Sequence, residues 1–229
     1  MKQLLYAIII LSLVVIVSES WGQEGPYYRI YMEHGGMNVT ENNVSEGHKS
    51  YHTFGGEVFT ENDRAKMLFG MEGFFRGEPA DEDPEIPCVG GAAFVEYAYK
   101  WKTWTAPYLG IRYDHISRGV APKYEDPSDT EYAAHHEHRS QVESEHDIVS
   151  ARGGFHFRYK WLYADIGTII PFYTNTKSGN FGPDVGVGIK WNNWDVGYRF
   201  REYVMTDNNF RGDEALSFYF SGCQIGYKF

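Results

Sequence analysis

The sequence has little of three things, and each shortage excludes a class of protein. Cysteine occurs twice in 229 residues, as Cys88 and Cys223, too few for a disulfide-stapled scaffold. Positive charge is scarce: 21 Lys and Arg stand against 31 Asp and Glu, a net charge of -10. Nothing in that balance would track a phosphate backbone, so nucleic acid is excluded as a partner. Long apolar runs are missing after residue 17, and the mean hydropathy is -0.47, which does not suit a helical membrane protein.

The one apolar run covers residues 4–17 (LLYAIIILSLVVIV), fourteen residues behind Lys2. A membrane-spanning helix needs about 20, so this length fits the core of a signal peptide. Small residues allow a cut after Gly22, with Ser18 and Ser20 marking an alternative. No cysteine lies nearby to carry a lipid anchor. Residues 1–22 are therefore expected to be removed on export, leaving one domain over 23–229.

What the chain does have is aromatic residues and glycine: 18 Tyr, 15 Phe, 6 Trp and 25 Gly. A sheet that alternates apolar and polar residues reconciles this richness with a polar average. Ten segments of about ten residues carry such an alternation. They are 27–38, 51–60, 65–76, 89–101, 105–117, 148–159, 161–172, 183–191, 194–203 and 215–229. The connections alternate too. Tight turns at 61–64, 102–103, 160 and 192–193 separate long polar stretches at 39–50, 77–88, 118–147, 173–182 and 204–214. Short turns at one rim and long loops at the other predict an all-β, antiparallel, up-and-down transmembrane barrel of ten strands, with eight as the alternative. A soluble lipocalin-type barrel would show the reverse parity, apolar inside and polar outside.

The two faces of the segments agree. Leu109, Ile111 and Tyr113 share one face, as do Val196, Tyr198 and Phe200, while charged residues occupy the other. The inward charges are Arg29, Glu33, Glu57, Glu72, Glu96, Arg112, Asp114, Arg152, Arg158, Asp165, Arg199 and Arg201, with Lys66 and Lys100. Both signs occur on neighbouring strands, which predicts a paired ionic plug rather than a wide pore. A narrow ion or solute pathway is the sharper reading of the same residues. Five tryptophans, at 101, 104, 161, 191 and 194, gather at the tight-turn ends, where an interfacial girdle belongs. Cys223 falls on the outward parity and Cys88 at the loop rim of a strand that is not its neighbour, so no disulfide is expected.

The longest connection, 118–147, is acidic and holds His135, His136, His138 and His146. Imidazole suits Zn, Cu or Ni and carboxylates suit Ca or Mg. Coiled as a helix over 131–146, these residues would offer a divalent-cation site, either for a free metal or for one bridging to lipopolysaccharide phosphates. The bland reading is a solvated loop held open by charge repulsion.

Two resemblances follow. The last segment (ALSFYFSGCQIGYKF) sets Tyr219, Ser221, Cys223, Ile225, Tyr227 and Phe229 against Phe218, Phe220, Gly222, Gln224, Gly226 and Lys228. An amphipathic strand ending in Phe resembles the closing strand of small porin-like and surface-antigen barrels of the bacterial outer membrane. That likeness implies outer-membrane localisation, lipid and lipopolysaccharide contacts, insertion by the barrel-assembly machinery through Phe229, and a monomer. Second, Gly110-x-Arg112-x-x-His115-x-Ser117 resembles a stretch of the outer-membrane lipid A 3-O-deacylase family. The likeness implies a Ser117 nucleophile and a His115 base, with Glu125 (or Asp129 or Glu131) orienting the imidazole. Arg118 stands where that family carries Asn. A structural or surface-interaction role, a lipid A hydrolase, and a narrow channel or metal-binding barrel are the functions these residues leave open.

Overall fold

A computed structural model describes residues 24–41, 44–45, 49–76, 88–120, 142–174, 178–206 and 215–229. Every element among them is a strand. They are β1 (Glu24–Glu41), β2 (Val44–Ser45), β3 (Lys49–Glu61), β4 (Ala65–Arg76), β5 (Cys88–Tyr99), β6 (Thr105–Val120), β7 (Val142–Tyr159), β8 (Leu162–Thr174), β9 (Ser178–Asn180), β10 (Gly182–Trp191), β11 (Trp194–Thr206) and β12 (Ala215–Lys228). Leaving aside the short β2 and β9, ten long strands each pair antiparallel with the next. β12 pairs with β1 from Arg29↔Lys228 to Glu41↔Leu216, which seals the sheet into a closed barrel. The chain is thus a ten-stranded antiparallel β-barrel, and closure leaves no long strand with an unpaired edge.

The tight connections are what the ladders demand. β7 turns into β8 through Lys160 and Trp161, and β10 into β11 through Asn192 and Asn193. Lys160 and Asn192 carry φ of 52° and 54°, the left-handed conformation that two-residue hairpins between twisted strands use.

Outside, the barrel is apolar and bare. Leu109 is 74% exposed, Ile111 52% and Ile30 56%, with comparable residues on the other long strands. Exposure on that scale around a whole ring is the surface a bilayer covers. Trp101, Trp104, Trp161, Trp191 and Trp194 all lie exposed at the turn end. Inside, several glycines make room for rings. A methyl group at Gly55 would strike the Tyr31 ring, and one at Gly70 the Phe94 ring.

Several strands run further than the alternation suggests. β6 continues through Val120 and β7 starts at Val142, so the third long connection spans 121–141 rather than 118–147. The hairpin keeps its ladder to the pair Val120↔Val142. A helix over 131–146 is therefore corrected for its last five residues, which are strand.

Candidate functional site

The lumen is built in three layers, each from the inward parity of the long strands. At the loop end Met37, Val39, Cys88, Ile116, Ile148, Ile169, Met205, Leu216 and Phe218 form a continuous apolar cluster, each no more than 1% exposed. Phe220 joins it through edge contacts to Tyr51 and Phe74, at 5.5 and 5.4 Å between ring centroids. His146 belongs here as well. Its ring points inward, 5% exposed and edge-on to Phe218 at 5.5 Å, which separates it from a site on the surface loop. Cys88 and Cys223 are both free; Cys88 is buried in this cluster and Cys223 is exposed on the outer face.

Beneath the cluster lies a dense ionic layer. Arg112 donates to Glu72 and, at 2.9 Å, to Asp114; Arg201 donates to Glu72 at 2.9 Å. Three tyrosine hydroxyls complete it: Tyr31 to Glu72 at 2.5 Å, Tyr203 to Asp114 at 3.2 Å, and Tyr51 to Glu33. Asp184 then accepts from Arg152 at 2.6 Å and from Arg199 at 3.2 Å. Arg112 is 1% exposed and Glu72 8%, so these charges face protein rather than water. Buried charges persist only when paired or hydrogen-bonded; here the arginines, Glu72, Asp114 and Asp184 are paired, and Glu33 accepts from the Tyr51 hydroxyl.

Toward the turn end the pairs are more exposed and surround a cavity of about 140 Å³. Arg29 reaches Asp195 at 2.8 Å and Glu57 at 3.0 Å. His156 lies between Glu96 and Asp165, with each ring nitrogen 2.8 Å from a carboxylate oxygen. Carboxylates only accept, so the ring serves both neighbours as an imidazolium. Arg158 also donates to Asp165, at 2.8 Å.

Each of the twelve inward charges of the expected network thus bonds inside the lumen. Lys66 differs: its ammonium lies 4.3 Å from the centroid of the Phe59 ring, with no carboxylate within ion-pair distance among the described residues. Sequence reasoning passed over the tyrosine hydroxyls and the apolar cluster. The signal was present, since Tyr31, Tyr51 and Tyr203 share the parity of Glu33, Thr53 and Arg201.

On the outer face, His115 and Ser117 lie on the outward parity of β6, near the loop end. His115 stands opposite Asp147 in the ladder, and its Nδ1 is 3.0 Å from that carboxylate. Tyr113 donates to the same oxygen at 2.6 Å. The imidazole is thus oriented by Asp147 on β7. Ser117 makes no hydrogen bond to His115. Glu125, Asp129, Glu131, His135, His136 and His138 lie outside the described residues. Among the described residues no group of three His, Cys, Asp or Glu could hold a metal ion.

No family model matches the chain, and no curated protein does. Solved structures are similar in shape. The outer membrane protease OmpT from Escherichia coli aligns with a TM-score of 0.52 and 8% identity, over 93% of this chain and 100% of that one. Neisserial surface protein A aligns at 0.42 and 10% identity, over 91% and 99%. Ail, the attachment invasion locus protein of Yersinia pestis, aligns at 0.42 and 8%, over 89% and 99%. At such identities the likeness to OmpT concerns the fold alone: this chain has the closed β-barrel of outer-membrane proteins.

Proposed function

We propose that the protein is an integral barrel of the bacterial outer membrane that does not conduct, and that meets its surroundings through its long acidic loops. The apolar cluster across the loop end of the lumen carries this reading. Among the described residues a continuous cluster of Met, Ile, Leu and Phe side chains crosses the loop end, and the arginines behind it are paired with carboxylates. The loop end faces outward in this reading and the tryptophan-rich turn end faces the periplasm. Outer-membrane lipids and lipopolysaccharide surround it, and it acts as a monomer. Divalent cations held by residues 121–141 would bridge the acidic loops to lipopolysaccharide phosphates. Planar-bilayer recording tests the central point: the refolded protein should give no conductance steps, and steady steps would overturn it.

The bonded His115–Asp147 pair favours a second reading, an acyl hydrolase working on lipid A at the outer leaflet. Nδ1 is held by Asp147, which leaves Nε2 free for a nucleophile, and Ser117 is two residues along the same face. Mass spectrometry of lipid A from expressing cells distinguishes the two. Loss of a 3-linked acyl chain, restored by Ser117→Ala, would establish the hydrolase, whereas unchanged lipid A leaves the structural barrel.

A further inference from the structure

The cavity at the turn end is out of balance with the rest of the chain. In a protein of net charge -10, the walls of this cavity carry seven Lys and Arg against five Asp and Glu, a surplus of two positive charges before His156 is counted. The arginines are not the source, since Arg29, Arg152, Arg158 and Arg199 each hold a carboxylate. The surplus lies in three lysines. Lys66 sits over Phe59 at 4.3 Å, Lys190 over Tyr163 at 5.4 Å and Lys228 over Tyr27 at 3.8 Å. Among the described residues none of the three has a carboxylate within 4 Å.

A second observation points the same way. Gln224, deeper along β12 than Lys228, is 7% exposed and lines the cavity. Its Oε1 accepts from Arg29 at 3.2 Å, which fixes the amide orientation, and its Nε2 is a buried donor without a partner. Native interiors rarely leave such a donor empty. Water could satisfy one amide but could not offset three ammonium groups lining one cavity.

We propose that this cavity binds a free small oxyanion carrying about two negative charges, of the hydrogen phosphate type. Lysine ammonium groups grip it as point charges, and Gln224 lines the inner end of the cavity. At about 140 Å³ the cavity admits several waters or one such ion. It opens through a wider mouth of about 780 Å³ at the turns, and the wall of strands closes it toward lipid. The ligand therefore enters from the turn side as a soluble ion.

Titration of inorganic phosphate into the full refolded chain, at low salt in zwitterionic detergent, tests this by calorimetry and by phosphorus NMR line broadening. Saturable binding at a single site is expected, weakened about tenfold or more in Lys66→Gln/Lys190→Gln. Should the double variant fail to refold, Lys190→Gln alone reads the same loss, because Lys190 is exposed in the mouth. Lys102→Gln is the control. Its ammonium lies 5.5 Å from the Trp101 and Trp104 rings at the rim, and removing it should change affinity by about twofold or less. Absence of saturable binding at millimolar phosphate, or equal binding by the double variant and the unaltered chain, overturns the proposal.

Discussion

The two ends of the lumen are built on opposite principles. At the loop end most inward residues are apolar and close-packed, with His146 among them, and the arginines just below each hold a carboxylate. At the turn end charged pairs, with Phe59, Leu68 and Phe94 buried among them, are set around a cavity. The difference follows from what lies outside each end. Through the bilayer, hydrocarbon takes the apolar face and the polar face must turn inward. Where β1, β6, β7, β11 and β12 extend past that band, the outside is water and the sense reverses. Outward residues there are polar, as at Asn38, Ser117, Glu145, Asp147 and Ser217, and inward residues are Met37, Ile116, Ile148 and Phe218. The loop end packs like a soluble barrel mounted on a membrane barrel.

Substitutions should separate the two ends, and the largest effect belongs to the ionic layer. Arg112→Ala leaves Glu72 and Asp114 buried without their shared cation. It should cost about 3–5 kcal/mol, read as a shift in equilibrium urea unfolding of the refolded barrel. Phe218→Ala opens a void in the apolar cluster and should cost about 3 kcal/mol. A second readout follows from its neighbour: the Cys88 thiol, 0% exposed, should become reactive toward an aqueous maleimide. Arg158→Ala breaks a pair whose side chains are 35% and 31% exposed, so screening limits its cost to about 1 kcal/mol or less. The smallest effect sharpens the contrast most. Lys190→Met removes a cation that has no carboxylate partner and should leave stability within about 0.5 kcal/mol or raise it slightly. A penalty comparable to that of Arg112→Ala would erase the distinction between the ends.

Much of this architecture was legible in the chain. Alternation in stretches such as 105–113 and 194–200 placed the strands, because hydrocarbon enforces one parity without exception. The turn residues at 160 and 192–193 set the count. The apolar cluster was not legible, since Ile116, Ile148 and Phe218 sit where the parity rule changes sense with the surrounding solvent. Residues 118–120 and 142–147 read as loop because their composition is polar. The partner of His115 was hidden by register. Only the ladder across a long connection brings Asp147 opposite it, and nearby carboxylates such as Glu125 were the natural guess from spacing. The charges were readable one by one, while which lysines lacked partners depended on distances across the lumen.

The claim that the lumen is solid at one end and hollow at the other has a direct test in sided chemical access. In a Cys223→Ser background, the barrel carrying Lys190→Cys is inserted with one orientation into vesicles. It is then exposed to a membrane-impermeant maleimide from each side in turn. The thiol introduced at position 190 should react from the turn side and not from the loop side, while Cys88 stays unmodified from both. Labelling of position 190 from the loop side, or of Cys88 in the otherwise unaltered chain, would contradict the account.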